Sequence, residues 1–182
     1  MSGFEFGRET ELVGEVTRGA RSLVVLPDLR QRASHGVGLD VESRLEEGQG
    51  LARAIGLDVV DAFALPIRAV RPATLFGEGQ VQKIRVAINQ SDAELVIVDG
   101  ALTAIQQRNL EEKLKRKVID RTGLILEIFG ARARSHEGKL QVELARLEYL
   151  SSRLVRRWSH LERQRGGVGL RGGPGETQIE LD

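Results

Sequence analysis

Hydrophobic residues along this chain come in two rhythms. Short uninterrupted runs alternate with longer stretches in which apolar positions recur every three or four residues. The clearest run is "ELVIVDG" (94–100), where Leu95, Val96, Ile97 and Val98 stand between a glutamate and Asp99-Gly100, predicting a buried strand. "SLVVL" (22–26) predicts a second, ended by Pro27-Asp28, and "GLDVVDAFAL" (56–65) closes a helix at Gly56 before opening another strand. "ATLFG" (73–77) and "KVID" (117–120) read as two more. Helical spacing fills the intervals. Asp40 caps a helix with Val41, Leu45, Ala52 and Ile55 on one face, weakened by Gly48 and Gly50. Val81, Ile84 and Ile88 follow "GEGQ" at helical spacing, Thr103 and Gln106 form a capping box for "AIQQRNLEEKLKR", and Thr122 is expected to cap "GLILEIFGARA". Because the strands are continuously apolar and alternate with helices, they predict an α/β fold: a small, doubly wound, mainly parallel sheet covered on both faces, over residues 20–134. The polar, glycine-punctuated residues 1–19 are expected to be a flexible N-terminus.

Beyond residue 134 the rhythm changes. Leu140, Leu144, Leu147, Ser151, Leu154, Trp158 and Leu161 repeat at alternating spacings of four and three, a heptad seam with one polar position. No glycine or proline interrupts residues 139–165, so a helix of about 40 Å is expected, over residues 135–165 in all. It is too long for the preceding domain and should project as the first half of an antiparallel coiled coil. A loop with six glycines between Gly166 and Gly175 follows, and the tip is placed at 166–178. "ETQIELD" then looks like the opening of a returning helix, of which 179–182 would be the start, so the chain is expected to be part of a longer protein.

Composition narrows the chemistry. With no cysteine among 182 residues, disulfide scaffolds and cysteine-ligated metals are excluded. The start has no signal-peptide pattern and no run nears the ~18 apolar residues of a membrane span, which reads as cytoplasmic. Residues 130–171 hold 10 Lys/Arg against 4 Glu, whereas residues 1–129 hold 17 against 19 acids. A basic segment on a mildly acidic body points to an anionic partner, although on charge alone a solvated helix face carries more weight.

No phosphate cradle of the G-x-x-x-x-G-K-[ST] form is present: the one Gly-Lys, Gly138-Lys139, is followed by leucine. Gly77 and Gly79 of "GEGQ", with Asp99 and Asp120 at strand carboxyl ends, outline a nucleotide crevice, but turn residues and helix caps explain them more simply. The three histidines have no ligand spacing, so neither a metal site nor a catalytic residue is nominated. The basic helix is more informative. Arg146, Arg153 and Arg157 share a face, and Arg156, Arg163, Arg165 and Arg171 carry charge to the tip. Arginine forks grip phosphate, and a glycine loop approaches a backbone closely, which suits folded RNA. A tail on a dimerising helix weighs equally.

The run "VIDRTGLILEIFGARARSHEGKLQVELARLEYLSSRLVR" followed by "GGVGLRGGPGETQIE" closely resembles HflX-type GTPases in the stretch before their G domain, and "LFGEGQVQKI" and "QQRNLEEKL" resemble that family's N-terminal domain. The resemblance is close over residues 70–182 and looser over 20–70. It implies a ribosome-associated protein that binds the large subunit and its rRNA and can split ribosomes with GTP. It also implies an α/β domain carrying a two-helix coiled coil whose glycine-rich tip reaches toward the peptidyl-transferase centre. Carried over, the RNA-binding residues would be Arg153, Arg156, Arg157, Arg163, Arg165, Gly166, Gly167, Gly169, Arg171, Gly172, Gly173 and Gly175. GTP and Mg2+ would belong to a G domain this chain lacks, which leaves no cofactor here and no catalysis by this chain alone. The family also has a link between its N-terminal domain and ATP. A rival reading is an α/β nucleotide- or ligand-binding module that dimerises through the heptad helix; a third is an ATP-dependent RNA-remodelling enzyme.

Overall fold

The computed structural model describes residues 12–13, 16–29 and 40–165, with side chains for 16–29 and 40–153. Strands β1 (Leu12–Val13) and β2 (Val16–Thr17) pair antiparallel. The main sheet holds β3 (Arg21–Leu29), β4 (Asp58–Ile67), β5 (Leu95–Val98) and β6 (Lys117–Asp120) in the order β4-β3-β5-β6, all parallel. Helices α1 (Val41–Ala54), α2 (Glu78–Ser91), α3 (Ala104–Leu114) and α4 (Arg121–Arg132) connect or follow these strands, and α5 (His136–Arg165) comes last. Two compact units divide the chain, 1–146 and 147–182, so α5 contributes to both.

The predicted doubly wound α/β fold is present. Alternate strand residues face opposite ways, and each face is covered by helices. Leu23, Val25, Val96, Val98 and Val118 pack with Val81, Ile84 and Ile88 of α2 and Leu110 of α3. Val24, Ile97 and Ile119 pack on the other side with Ala52 of α1, Leu124 and Ile128 of α4, and Val16 of β2. Burial on both faces is why the runs show no polar alternation, and each fully buried aliphatic contributes about 1.5–3 kcal/mol. The chain goes from β3 outward to β4, then returns past β3 to β5, so the order reverses between β3 and β5. Open α/β sheets form their crevices at the strand carboxyl ends beside such a reversal.

The edge strand β4 is protected against further pairing. Ala62 donates its N–H to Asp61 Oδ1 (2.8 Å), while Pro66, on the same side of the strand, has no N–H and its carbonyl accepts from Gln80 Nε2 (2.7 Å).

Four local expectations need correction. β3 does not stop at Pro27 but continues to Leu29. The β5 ladder has already ended, at Val25 with Val98, so the missing proline N–H costs nothing on that side. "ATLFG" is not a strand: residues 72–74 form a turn closed by a single bridge between Arg71 and Leu75, and Leu75 has a left-handed φ of 66°. Asp120, not Thr122, caps α4, its Oδ1 accepting from Gly123 N–H at 2.9 Å. Gly48 does not interrupt α1. It is buried against Asp99, and a Cβ there would lie 3.0 Å from Asp99 Oδ2.

Candidate nucleic-acid interface

The basic segment is built on α5. Ser135 accepts from Gly138 N–H with its Oγ (3.0 Å) and from Lys139 N–H with its carbonyl (3.0 Å), which supplies the turn that starts the helix. Of the arginines predicted to share a face, Arg146 plays a different part. Its Nη2 donates to Glu127 Oε2 of α4 at 3.0 Å, and the two side chains are only 18% and 7% exposed. Gly130 makes the approach possible, since a Cβ there would lie 2.7 Å from Arg146 Cζ. Arg146 therefore neutralises a buried carboxylate within the α/β unit and is not available to phosphate. Charge spacing alone could not reveal this, because its partner lies 19 residues back on another helix.

Arg153 is half-buried, with its guanidinium carbon 3.9 Å from the centroid of the Tyr149 ring one turn earlier, while Ser152 donates to the Tyr149 carbonyl at 2.7 Å. Stacking on an aromatic face restricts an arginine's rotamers. Arg156, Arg157, Arg163 and Arg165 are carried by α5, but their side chains lie outside the described residues. So do Gly166, Gly167, Gly169, Arg171, Gly172, Gly173 and Gly175 entirely. The described part of the heptad seam is open to solvent: Leu140, Leu144 and Leu147 are 58%, 59% and 55% exposed.

The residues of the outlined crevice have structural partners. Asp99 is almost wholly buried, and its Oδ1 accepts from Arg121 Nη1 at 2.7 Å. Arg121 also donates through Nη2 to Glu47 Oε1 on α1 at 2.6 Å. The hydrogen bond that Glu47 accepts, then the one that Asp99 accepts, holds the Arg121 guanidinium above its ordinary value. A raised value contributes stability that is fully present below the unfolded value and is lost only as pH rises through the folded one, so the Arg121 guanidinium stays charged at any working pH. Asp120 accepts from Gly123 N–H and, through Oδ2, from Leu102 N–H (3.2 Å). Gly77 caps α2 and donates its N–H to Gln80 Oε1 at 3.0 Å; Gly79 lies in the first turn. Asp99 thus turns toward the layer of α1 and α4, whereas Gly77 and Gly79 belong to α2 in the opposite layer. Sequence reasoning missed Arg121, for which an arginine directly after a strand-ending aspartate gives no separate signal.

Among the described residues no cluster of three His, Asp or Glu side chains is arranged to hold a metal, and no helix is long and apolar enough to cross a membrane.

Residues 42–130 match the family described as GTP-binding GTPase N-terminal, and residues 132–182 match GTP-binding GTPase Middle Region. Among curated relatives, the chain is 59% identical over 138 residues to the GTPase HflX of Magnetococcus marinus, covering 76% of this chain and 32% of that protein. It is 51% identical over 138 residues to the GTPase HflX of Escherichia coli, with the same coverage. The chain thus spans about a third of the length of these relatives. Its fold is similar to that of a GTP-binding protein of Sulfolobus solfataricus crystallised with GDP, at a TM-score of 0.56 and 23% identity, over 79% of this chain and 42% of that one.

Proposed function

Because this chain belongs to the HflX-type GTPase family, matching its N-terminal and middle regions, we propose that it is a ribosome-binding part of such a GTPase and contacts large-subunit rRNA through its basic helix and glycine-rich loop. The observation that supports this reading is the concentration of charge. Residues 130–171 hold 10 Lys/Arg against 4 Glu and fall largely within the middle-region match, next to a body in which acids slightly outnumber bases. With Arg146 engaged by Glu127, the cations proposed for phosphate are Arg153, Arg156, Arg157, Arg163, Arg165 and Arg171. Arginine forks supply affinity and orientation on a nucleic-acid backbone, and glycines let the chain approach it without side chains in the way.

GTP and Mg2+ are assigned to sequence beyond this chain, which contains no P-loop. Splitting of ribosomes would then belong to the whole protein, with this region determining where it binds. A ribosomal role also implies a cytoplasmic location.

The test is a joint change of Arg153, Arg157 and Arg171 to glutamate, with affinity for purified large ribosomal subunits measured across a salt series. Three lost phosphate contacts should lower affinity at least roughly 100-fold and reduce the salt slope by about 2–3. Unaltered affinity and slope would overturn the reading.

The exposed Leu140, Leu144 and Leu147 favour a second reading, an α/β ligand-binding module that self-associates through α5. It requires concentration-dependent dimers in sedimentation and no affinity for RNA. A dimer that disappears when the chain is extended with the sequence that follows this region in its longer relatives would count against it.

A further inference from the structure

The connection between β4 and α2 is held by hydrogen bonds both from within and from neighbouring helices. Three side-chain amides hold its main chain from outside: Gln80 Nε2 donates to the Pro66 carbonyl (2.7 Å), Gln106 Nε2 to that of Arg71 (3.1 Å) and Asn109 Nδ2 to that of Ala73 (2.9 Å). The two glutamines also use their amide oxygens as helix caps, on Gly77 N–H and Thr103 N–H, so each fixes a helix start and the loop together. Within the loop, Arg71 and Leu75 exchange both main-chain bonds, at 3.1 and 2.8 Å, and Thr74 Oγ1 donates to the Phe76 carbonyl at 2.7 Å. Leu75 is buried in the left-handed region that branched, bulky residues avoid. Such a conformation persists only where the surroundings impose it, and it occurs disproportionately at binding sites.

What this scaffold presents is basic. Thr74, Leu75 and Phe76 are buried, whereas residues 68–73 are exposed throughout. From Pro66 to Gly77 there is no acidic residue. Arg68 and Arg71 meet no carboxylate among the described residues, in contrast to Arg121 and Arg146 of the same unit. Val70, between the two arginines, and Ile105, next to the clamping Gln106, are 53% and 51% exposed.

We infer that the turn at 68–73 is a second RNA-backbone contact, made by the α/β unit itself, with Arg68 and Arg71 on phosphate oxygens and Val70 and Ile105 against the sugar edge. This rests on the proposed ribosomal function and extends it to a surface outside the basic helix. Two forks on a pre-ordered main chain suit a regular polyanion: little conformational freedom is lost on binding, and no acid on the loop repels the phosphates. Two isolated apolar side chains are too few for the desolvated centre of a stable protein interface, which favours RNA over an acidic protein partner.

The experiment uses the 182-residue chain, its Arg68→Gln/Arg71→Gln variant, a variant with 166–175 replaced by a short Gly-Ser turn, and the combination. Each is titrated against purified large ribosomal subunits, and against rRNA stripped of protein, across a salt series. Thermal melts confirm that the exposed substitutions leave the fold intact. The expected result is a roughly tenfold loss of affinity and a salt slope smaller by 1–2 for the arginine variant, in both the native and the tip-replaced background. Unchanged affinity and slope, with binding still lost on tip replacement, would overturn this inference and leave the proposed function standing. Loss with the arginine variant but not with tip replacement would support it and refute the role of the tip. Failure of the unaltered chain to bind either target would overturn both. Competition by poly-glutamate as strong as that by RNA would overturn the choice of RNA in favour of an acidic protein.

Discussion

The sheet and the last helix use the same aliphatic residues to opposite ends. In the sheet, Leu23, Val24, Val25, Val96 and Ile97 are wholly buried, and helices cover both faces. On α5, Leu140, Leu144 and Leu147 are more than half exposed, although their heptad spacing is as regular as any pattern in the chain. The charges differ in parallel. In the α/β unit, Arg121 and Arg146 are matched to carboxylates, and Arg21, Arg85 and Arg116 donate to main-chain carbonyls of Ser91, Lys113 and Ala93. Along residues 147–171, six arginines face two glutamates. Buried aliphatics and matched charges hold the sheet and its helices together, whereas exposed aliphatics and an excess of one charge sign mark a surface suited to a partner.

That contrast makes stability predictions of descending size. Ile97→Ala should cost about 4 kcal/mol in a denaturant melt, through lost burial and a cavity between layers. Arg146→Ala should cost about 3 kcal/mol, because it strands the Glu127 carboxylate in a nearly buried site; replacing both residues by apolar ones of similar volume should recover most of that loss. If Arg146→Ala is as mild as a surface change, its role in the α/β unit is wrong and it rejoins the cations proposed for phosphate. Thr103→Ala removes the hydroxyl that accepts from Gln106 N–H at 3.2 Å and should cost about 1 kcal/mol. Leu144→Ala on the exposed seam should stay within about 0.5 kcal/mol. A loss near that of Ile97→Ala would mean the seam is covered in solution, and sedimentation of the same sample would show whether a second copy covers it.

Much of the fold was legible because its signals are local. The run at 95–98 needs no knowledge of its neighbours to read as a buried strand, and the Thr103 and Gln106 box forms with both bonds as spaced. The misread elements depend on contacts distant in sequence. Thr74, Leu75 and Phe76 have strand-like side chains, yet Gln106 and Asn109, more than 30 residues away, help to hold that segment as a turn. Gly48 looks like a helix defect until Asp99 is seen against it. Thr122 and Asp120 both suit a cap, and strand pairing up to Asp120 places its side chain over the first turn. For the candidate site, the charge asymmetry was plain in the sequence, but the separation of Arg146 from Arg153 was not, since it depends on how α4 meets the start of α5. The 68–73 turn went unnoticed because two arginines in a short loop carry no pattern; only its clamped main chain makes them distinctive.

The most direct test of the central claim is co-pelleting of the 182-residue chain with purified large ribosomal subunits at physiological salt, beside the variant in which a short Gly-Ser turn replaces 166–175. Pelleting of the unaltered chain, weakened at least several-fold in the variant, is the predicted result and would show that this region binds without bound GTP. No pelleting of the unaltered chain, or equal pelleting of both proteins, would contradict the claim that the basic helix and its glycine-rich loop make the ribosomal contact.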